Sequence, residues 1–189
     1  MTNKRELYLV EHLKRLPDDG TVFELLSGEI IGREAPSETH AKVVDRLADA
    51  LTQHVDESDL GAVFRMPWPV ELSKYDLVKP DIYFVAWKDG VMEVDGVRGT
   101  PEFVIEVLSP ESSPFDLGEK KRLYAWAGVF EYWVVDPESK SIQPMKKVTQ
   151  GYQLIEFEGS RLQSYVLPDF AIDLQWLFAE LDLGVGEGR

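Results

Sequence analysis

Two apolar runs separated by a helical stretch constrain this chain more than any other feature. Phe103–Leu108 (FVIEVL) and Glu131–Val135 (EYWVV) have the length and composition of strands, and Asp136-Pro137 stops the second. Between them, Phe115–Ala127 (FDLGEKKRLYAWA) reads as a helix halted by Gly128. Strand, helix and strand in this order imply a right-handed crossover between parallel strands. A strand buried on both faces is a near-continuous apolar run, so a lone charge inside it is costly unless neutralised. Glu106 is such a charge, the only ionisable residue between Phe103 and Leu108.

The helix carries the complementary oddity. At ~100° per residue, Leu117, Leu123, Tyr124 and Ala127 share one arc, with Lys120 at its middle. Glu119, Lys121 and Arg122 project to the other side. An ammonium turned toward a core needs a carboxylate partner. Glu106 on the preceding strand is one candidate. Asp81, after Pro80 at the start of the apolar strand IYFVAW, is a second. The trio could meet at one face of a sheet.

The remaining elements surround this centre. Residues 3–14 read as a short amphipathic helix ended by Pro17 and the Asp18-Asp19-Gly20 turn. Thr21–Leu26 and Glu29–Arg33 flank Ser27-Gly28 as a hairpin. Ser37 caps a longer helix whose stripe is Ala41, Val44, Leu47, Ala48, Leu51 and Val55. Strands follow near 61–72, broken by Pro67 and Pro69, and near 81–87, with a hairpin turn at Asp89-Gly90. Beyond residue 135 the pattern predicts strands near 141–147 and 152–157 and a last helix near 173–182. There is no repeat, low-complexity tract or linker, so residues 1–189 are expected to form a single domain. The fold class expected is α/β (α+β): a mixed β-sheet flanked by helices. Its core order is helix, three strands, helix, strand, with an N-terminal helix and hairpin and a C-terminal hairpin and helix.

Charge and composition exclude several classes. A net charge of −14 repels phosphates at long range, so a polyanion could be handled only through local basic groups or bound cations. No helix-turn-helix, zinc-finger or arginine-rich arm is present. The acidic excess is strong in 151–189, a solvated or dimer-facing surface. Without cysteine, neither disulfides nor thiolate metal sites arise, and the cytoplasm is the simplest compartment. The charged start MTNKRELY is unlike a signal peptide, and the longest uncharged apolar run, Leu123–Phe130, is too short to span a bilayer. No membrane partner is expected.

Two carboxylates and a lysine suit metal-assisted hydrolysis. Carboxylates supply hard oxygen ligands for Mg²⁺, which takes its remaining ligands from water and a substrate phosphate. A lysine beside it can position water or offset developing charge. The stretch KPDIYFV, then "EVLSP", "D-L-G-x-K", "Y-x-x-A-G-V" and "E-Y-W-V-V-D-P" across 106–137, resembles the Uma-two family of putative restriction endonucleases, within the PD-(D/E)XK nuclease superfamily. Weaker matches are FELLSGEI, Ser37-x-x-His40 and LPDFAIDLQWLF. The resemblance implies a restriction-endonuclease-like core in the order αβββαβ and a Mg²⁺-dependent DNA endonuclease, with Mn²⁺ as a substitute. It assigns Asp81 and Glu106 as metal ligands with the backbone carbonyl of Val107. The signature lysine would fall at residue 108, which is Leu108; Lys120 on the next helix matches the family's displaced lysine. DNA as substrate and a homodimer follow by the same analogy.

Plainer readings stand beside these. Lys120 and Glu106 could be a structural ion pair in a catalytically inactive interaction or scaffold domain of nuclease fold. Asp81 alone could be a turn former after Pro80. His40 is either a satisfied core-edge histidine or a neighbour of the metal site. Glu24, alternating with Phe23 and Leu25, matches a family position but reads most simply as a surface strand residue. Tyr124 lies one turn after Lys120, so its ring is expected over the lysine stem within reach of the site, although it reads most simply as a core residue.

Overall fold

The computed structural model describes residues 7–17, 19–33, 37–87, 91–93, 96–109 and 113–181. The turn expected at Asp89-Gly90, the first residues of the N-terminal helix and the end of the last helix lie outside them. Helix α1 is the single turn Val10–Leu13, shorter than the 3–14 expected. At Ser27 and Gly28 φ is 51° and 79°. Positive values at both centres suit a two-residue hairpin turn, and β1 (Val22–Leu26) and β2 (Glu29–Arg33) pair across it.

Helix α2 (Glu38–Glu57) begins as its sequence predicts, with the Ser37 side chain accepting from the His40 N–H at 3.2 Å. Ser37→Ala is expected to cost about 1 kcal/mol, read as a lowered urea midpoint. The buried stripe is His40, Val43, Leu47, Ala48, Leu51 and Val55. Val43 replaces Ala41, which is exposed, and Val44 is only partly covered.

Among the described residues the expected single sheet is divided into two six-stranded sheets, apart from a two-stranded ribbon. Strands β3 (Gly61–Arg65), β4 (Val70–Ser73), β5 (Asp76–Val78), β6 (Ile82–Ala86), β7 (Val91–Glu93), β8 (Gly96–Arg98) and β9 (Phe103–Val107) are shared between them. One, the hairpin sheet, has the order β2-β1-β5-β4-β8-β7. The central sheet adds β10 (Glu131–Asp136), β11 (Ser141–Val148) and β12 (Gly151–Leu154), in the order β12-β11-β10-β9-β6-β3. Proline lacks the amide hydrogen a ladder needs, so Pro67 and Pro69 end β3, and the chain re-enters extended structure as β4 in the other sheet. Strands β9 and β10 are parallel, as the crossover implies, while β3–β6 and β6–β9 are antiparallel.

The crossover helix is not continuous. It comprises α3 (Ser113–Phe115), a π turn at Asp116–Lys120 and α4 (Lys121–Ala127), closed by Gly128 at φ 105°. The wider turn shifts the inner face by one residue. Asp116 is fully buried in place of Leu117, which is 43% exposed.

Alternation divides the core into two layers about the central sheet. Ile82, Phe84, Phe103, Ile105, Val107, Trp133 and Val135 face α2. Tyr83, Val85, Val104, Tyr132 and Val134 face the hairpin sheet and Tyr124 of α4. A ribbon of β13 (Arg161–Gln163) and β14 (Ala171–Asp173), absent from the sequence reading, precedes α5 (Leu174–Leu177). Buried Glu131 fastens the segment after β13, accepting from Ser164 Oγ at 2.6 Å and from the N–H groups of Tyr165 and Val166 at 2.9 Å. Among the described residues no helix is long and apolar enough to cross a membrane.

Candidate active site

Register alone brings the two carboxylates together. Ile82 pairs with Ile105 across antiparallel β6 and β9, so the next position sets Asp81 opposite Glu106. Alternation puts both on the face turned to the hairpin sheet and α4. Asp81 is 5% exposed and Glu106 fully buried. The Asp81 N–H approaches Glu106 Oε2 at 3.4 Å, and Asp81 Oδ2 accepts from the Val107 N–H at 2.7 Å.

Lys120 enters this layer from the π turn. Its ammonium lies 3.0 Å from Glu106 Oε1, 3.1 Å from Glu24 Oε1 and 3.4 Å from Asp116 Oδ1, with no exposure. The Tyr124 hydroxyl donates to the same Glu106 Oε1 at 2.6 Å. His40, from the first turn of α2, meets Asp81 Oδ2 through Nε2 at 3.1 Å, while its buried Nδ1 has no hydrogen-bond partner among the described residues. The residues singled out in the sequence thus share one cluster.

Three members were missed or misplaced by the sequence reading. Glu24 is buried, not a surface strand residue. It accepts from the Lys79 N–H at 2.6 Å and pairs with Arg33. No local pattern marks Arg33 as a site residue, but the hairpin register sets Glu24 opposite Ile31, so Arg33 is its diagonal neighbour on the same face. Asp116, inside the D-L-G-x-K stretch, is brought inward only by the π turn.

Electrostatics follow from burial and crowding. Burial, with Asp116, Asp81 and Glu24 nearby, pushes the Glu106 carboxyl up to about 8 against the pull of Lys120. Burial alone would raise Asp81 as well, but His40 and the Val107 N–H hold it below the usual carboxylate value. For Lys120 burial acts downward, and Glu106, Glu24 and Asp116 overcome it, so the ammonium is raised above its ordinary value. Tyr124 is pushed well up by burial and Glu106. His40 aside, four carboxylates face two cations, Lys120 and Arg33, leaving a surplus of negative charge.

That surplus is one a cation would offset. Glu106 commits Oε1 to Lys120 and Tyr124, leaving Oε2 turned toward the Asp81 main chain. Asp81 commits Oδ2, and among the described residues no hydrogen bond reaches its Oδ1. The Leu108 N–H donates to Val135 O on β10 at 2.8 Å. In a planar trans peptide the preceding carbonyl points the opposite way, so Val107 C=O faces the Asp81 side. Among the described residues no three His, Cys, Asp or Glu side chains stand at a spacing that could hold a metal. Two carboxylates and a carbonyl are nonetheless a donor set for Mg²⁺, which keeps several waters.

A family model described as a putative restriction endonuclease, Uma2, matches residues 10–175. A crystal structure of a putative nuclease belonging to DUF820 from Anabaena variabilis is similar with a TM-score of 0.75 at 16% identity, covering 90% of this chain and 97% of that one. This likeness shows the fold. No curated protein matches the chain.

Proposed function

Because the chain belongs to the Uma2 family, we propose that it is a metal-dependent nuclease hydrolysing phosphodiester bonds in DNA, with the buried cluster as its centre. The observation that carries this reading is the division of labour among carboxylate oxygens. Asp81 Oδ2 and Glu106 Oε1 are tied to protein donors, while Glu106 Oε2 meets only the Asp81 N–H, at 3.4 Å, and the Val107 carbonyl faces the Asp81 side. Asp81, Glu106 and the Val107 carbonyl would hold Mg²⁺, or Mn²⁺ in its place. When bound, such an ion lowers the pKa of water and offsets charge developing on phosphorus.

The chain's own residues orient this site. His40 and the Val107 N–H fix the Asp81 carboxylate. Lys120 and Tyr124 hold Glu106 Oε1, which aims Oε2. Glu106, Glu24 and Asp116 raise the Lys120 ammonium above its ordinary value, which suits it to positioning and neutralising in the metal-free protein. This also answers the charge problem of an acidic chain, since a bound cation bridges it to a polyanion. Two subunits cutting two strands, a homodimer, belongs to the same proposal and is checked by light scattering.

A thermal-shift titration with Mn²⁺ tests the site, because a ligand of the folded state raises its midpoint. The wild type should rise with metal and Asp81→Asn should not. Plasmid cleavage should require the metal and vanish in Asp81→Asn. Cleavage that persists in the variant, or a wild type indifferent to every divalent ion, would leave the buried ion-pair scaffold as the better account.

A further inference from the structure

The outer face of the hairpin sheet carries a cleft that the cluster does not use. Glu24 turns inward from β1, so alternation turns Phe23 outward, and Leu77 and Lys79 face the same way along β5 and its extension. Leu13 and Lys14 of the α1 segment close the other side, leaving a volume of about 380 Å³. That is the size of a small-molecule site, with mainly apolar walls and a few polar groups.

Its charge is opposite to that of the molecule. Among the described residues the lining holds Lys14, Lys79, Arg98 and a single acid, Glu71, in a chain with 34 acidic and 20 basic residues. Arg98 lies 3.6 Å from Glu71. Lys14 and Lys79 have no carboxylate within ion-pair distance among the described residues. Among the described residues these two lysines stand at one apolar cleft without an ion pair, so an anion there would meet two available ammonium groups.

We propose that this cleft binds a small amphipathic anion, a compact apolar body bearing one carboxylate or phosphate group. The apolar body fills the space between Leu13, Phe23 and Leu77, and the acid lies against Lys14 and Lys79. The site has a direct link to the buried cluster: the main-chain N–H of Lys79 donates to Glu24 Oε1, which contacts Lys120. Occupancy and the cluster are therefore joined through one residue, although the binding itself does not depend on nuclease activity.

A matched pair of dyes tests this on the full chain: 1-anilinonaphthalene-8-sulfonate and its uncharged relative N-phenyl-1-naphthylamine, which share a ring system and differ by the anion. The sulfonate should bind as a single dye per chain, at least about tenfold tighter than the neutral dye. Lys14→Met with Lys79→Met should erase most of that preference while leaving the neutral dye within about twofold. Each single variant, with the thermal midpoint as folding control, should lose part of it. Displacement by decanoate or by phenyl phosphate identifies which acid the lysines accept. Equal affinity for the two dyes, an unchanged preference in the double variant, or displacement by neither competitor overturns the proposal.

Discussion

Lys120→Met should lose about 3–5 kcal/mol of folding stability, read as a lowered urea midpoint with the slope unchanged. Methionine preserves the length and apolar stem of the side chain, so packing along the stem survives and the charge alone is removed. What remains is Glu24, Glu106 and Asp116 around a site with no ammonium. Breaking a buried pair by deleting one partner is costly because the other charge stays buried, and here Glu24 and Asp116 lose their cation while Glu106, protonated up to about pH 8, loses a polar contact. Lowering the pH should restore part of the loss, since protonated carboxylates no longer need it, and millimolar Mn²⁺ or Ca²⁺ should do likewise by taking the ammonium's place. A loss below about 1 kcal/mol, insensitive to pH and to divalent ions, would contradict the three-carboxylate arrangement. The same geometry revises the simpler expectation for an isolated ion pair, in which apolar replacement of both Lys120 and Glu106 is neutral or stabilising. The double variant should remain destabilised, because Glu24 and Asp116 also lose their contact with Lys120.

The legible part of this fold lies where local pattern and register suffice. The FVIEVL and EYWVV runs and the helix between them dictate parallel β9 and β10, and alternation places Asp81 and Glu106 on one face. Lys120 was legible as an inward charge because it falls on an apolar arc. Asp116 was not, because the π turn is a tertiary compromise: it allows Asp116 and Lys120 to enter the same layer, at the cost of exposing Leu117. In α2 the stripe was displaced toward Val43 because His40, not an aliphatic residue, anchors the inner face against Asp81. The division into two sheets was hidden for a different reason. Strands β5, β7 and β8 are three residues each, too short for periodicity to register, and their partners are fixed only by the closed structure. Arg33 could have been found: a two-residue turn at Ser27-Gly28 fixes the hairpin register, and that register makes Arg33 the diagonal neighbour of Glu24.

The stability of the metal-free protein should fall as pH rises from about 5 to 8, and Glu106→Gln should abolish most of that slope. Glu106 goes from an ordinary value near 4.5 to about 8 on folding, through burial and the surrounding carboxylates. A carboxyl with a raised folded-state value holds its proton more tightly folded than unfolded. Its contribution is therefore intact below the unfolded value and is lost as pH climbs through the folded one. Within that window the slope approaches ~1.4 kcal/mol per pH unit, and the whole interval is worth on the order of 4 kcal/mol. Asp81, held below its ordinary value, acts in the opposite sense and only in more acidic solution, where stability falls as pH drops. The two effects are thus separable by range. A divalent ion changes the sign of the demand on Glu106, because a ligand carboxylate must be ionised. Mn²⁺ binding at neutral pH should therefore expel close to one proton per site, measurable by calorimetry in buffers of different ionisation enthalpy. Glu106→Gln should bind the ion more weakly and release no proton. Metal uptake without proton release would mean that Lys120 alone already keeps Glu106 ionised, and the flat pH profile of the metal-free wild type would then report the same thing independently.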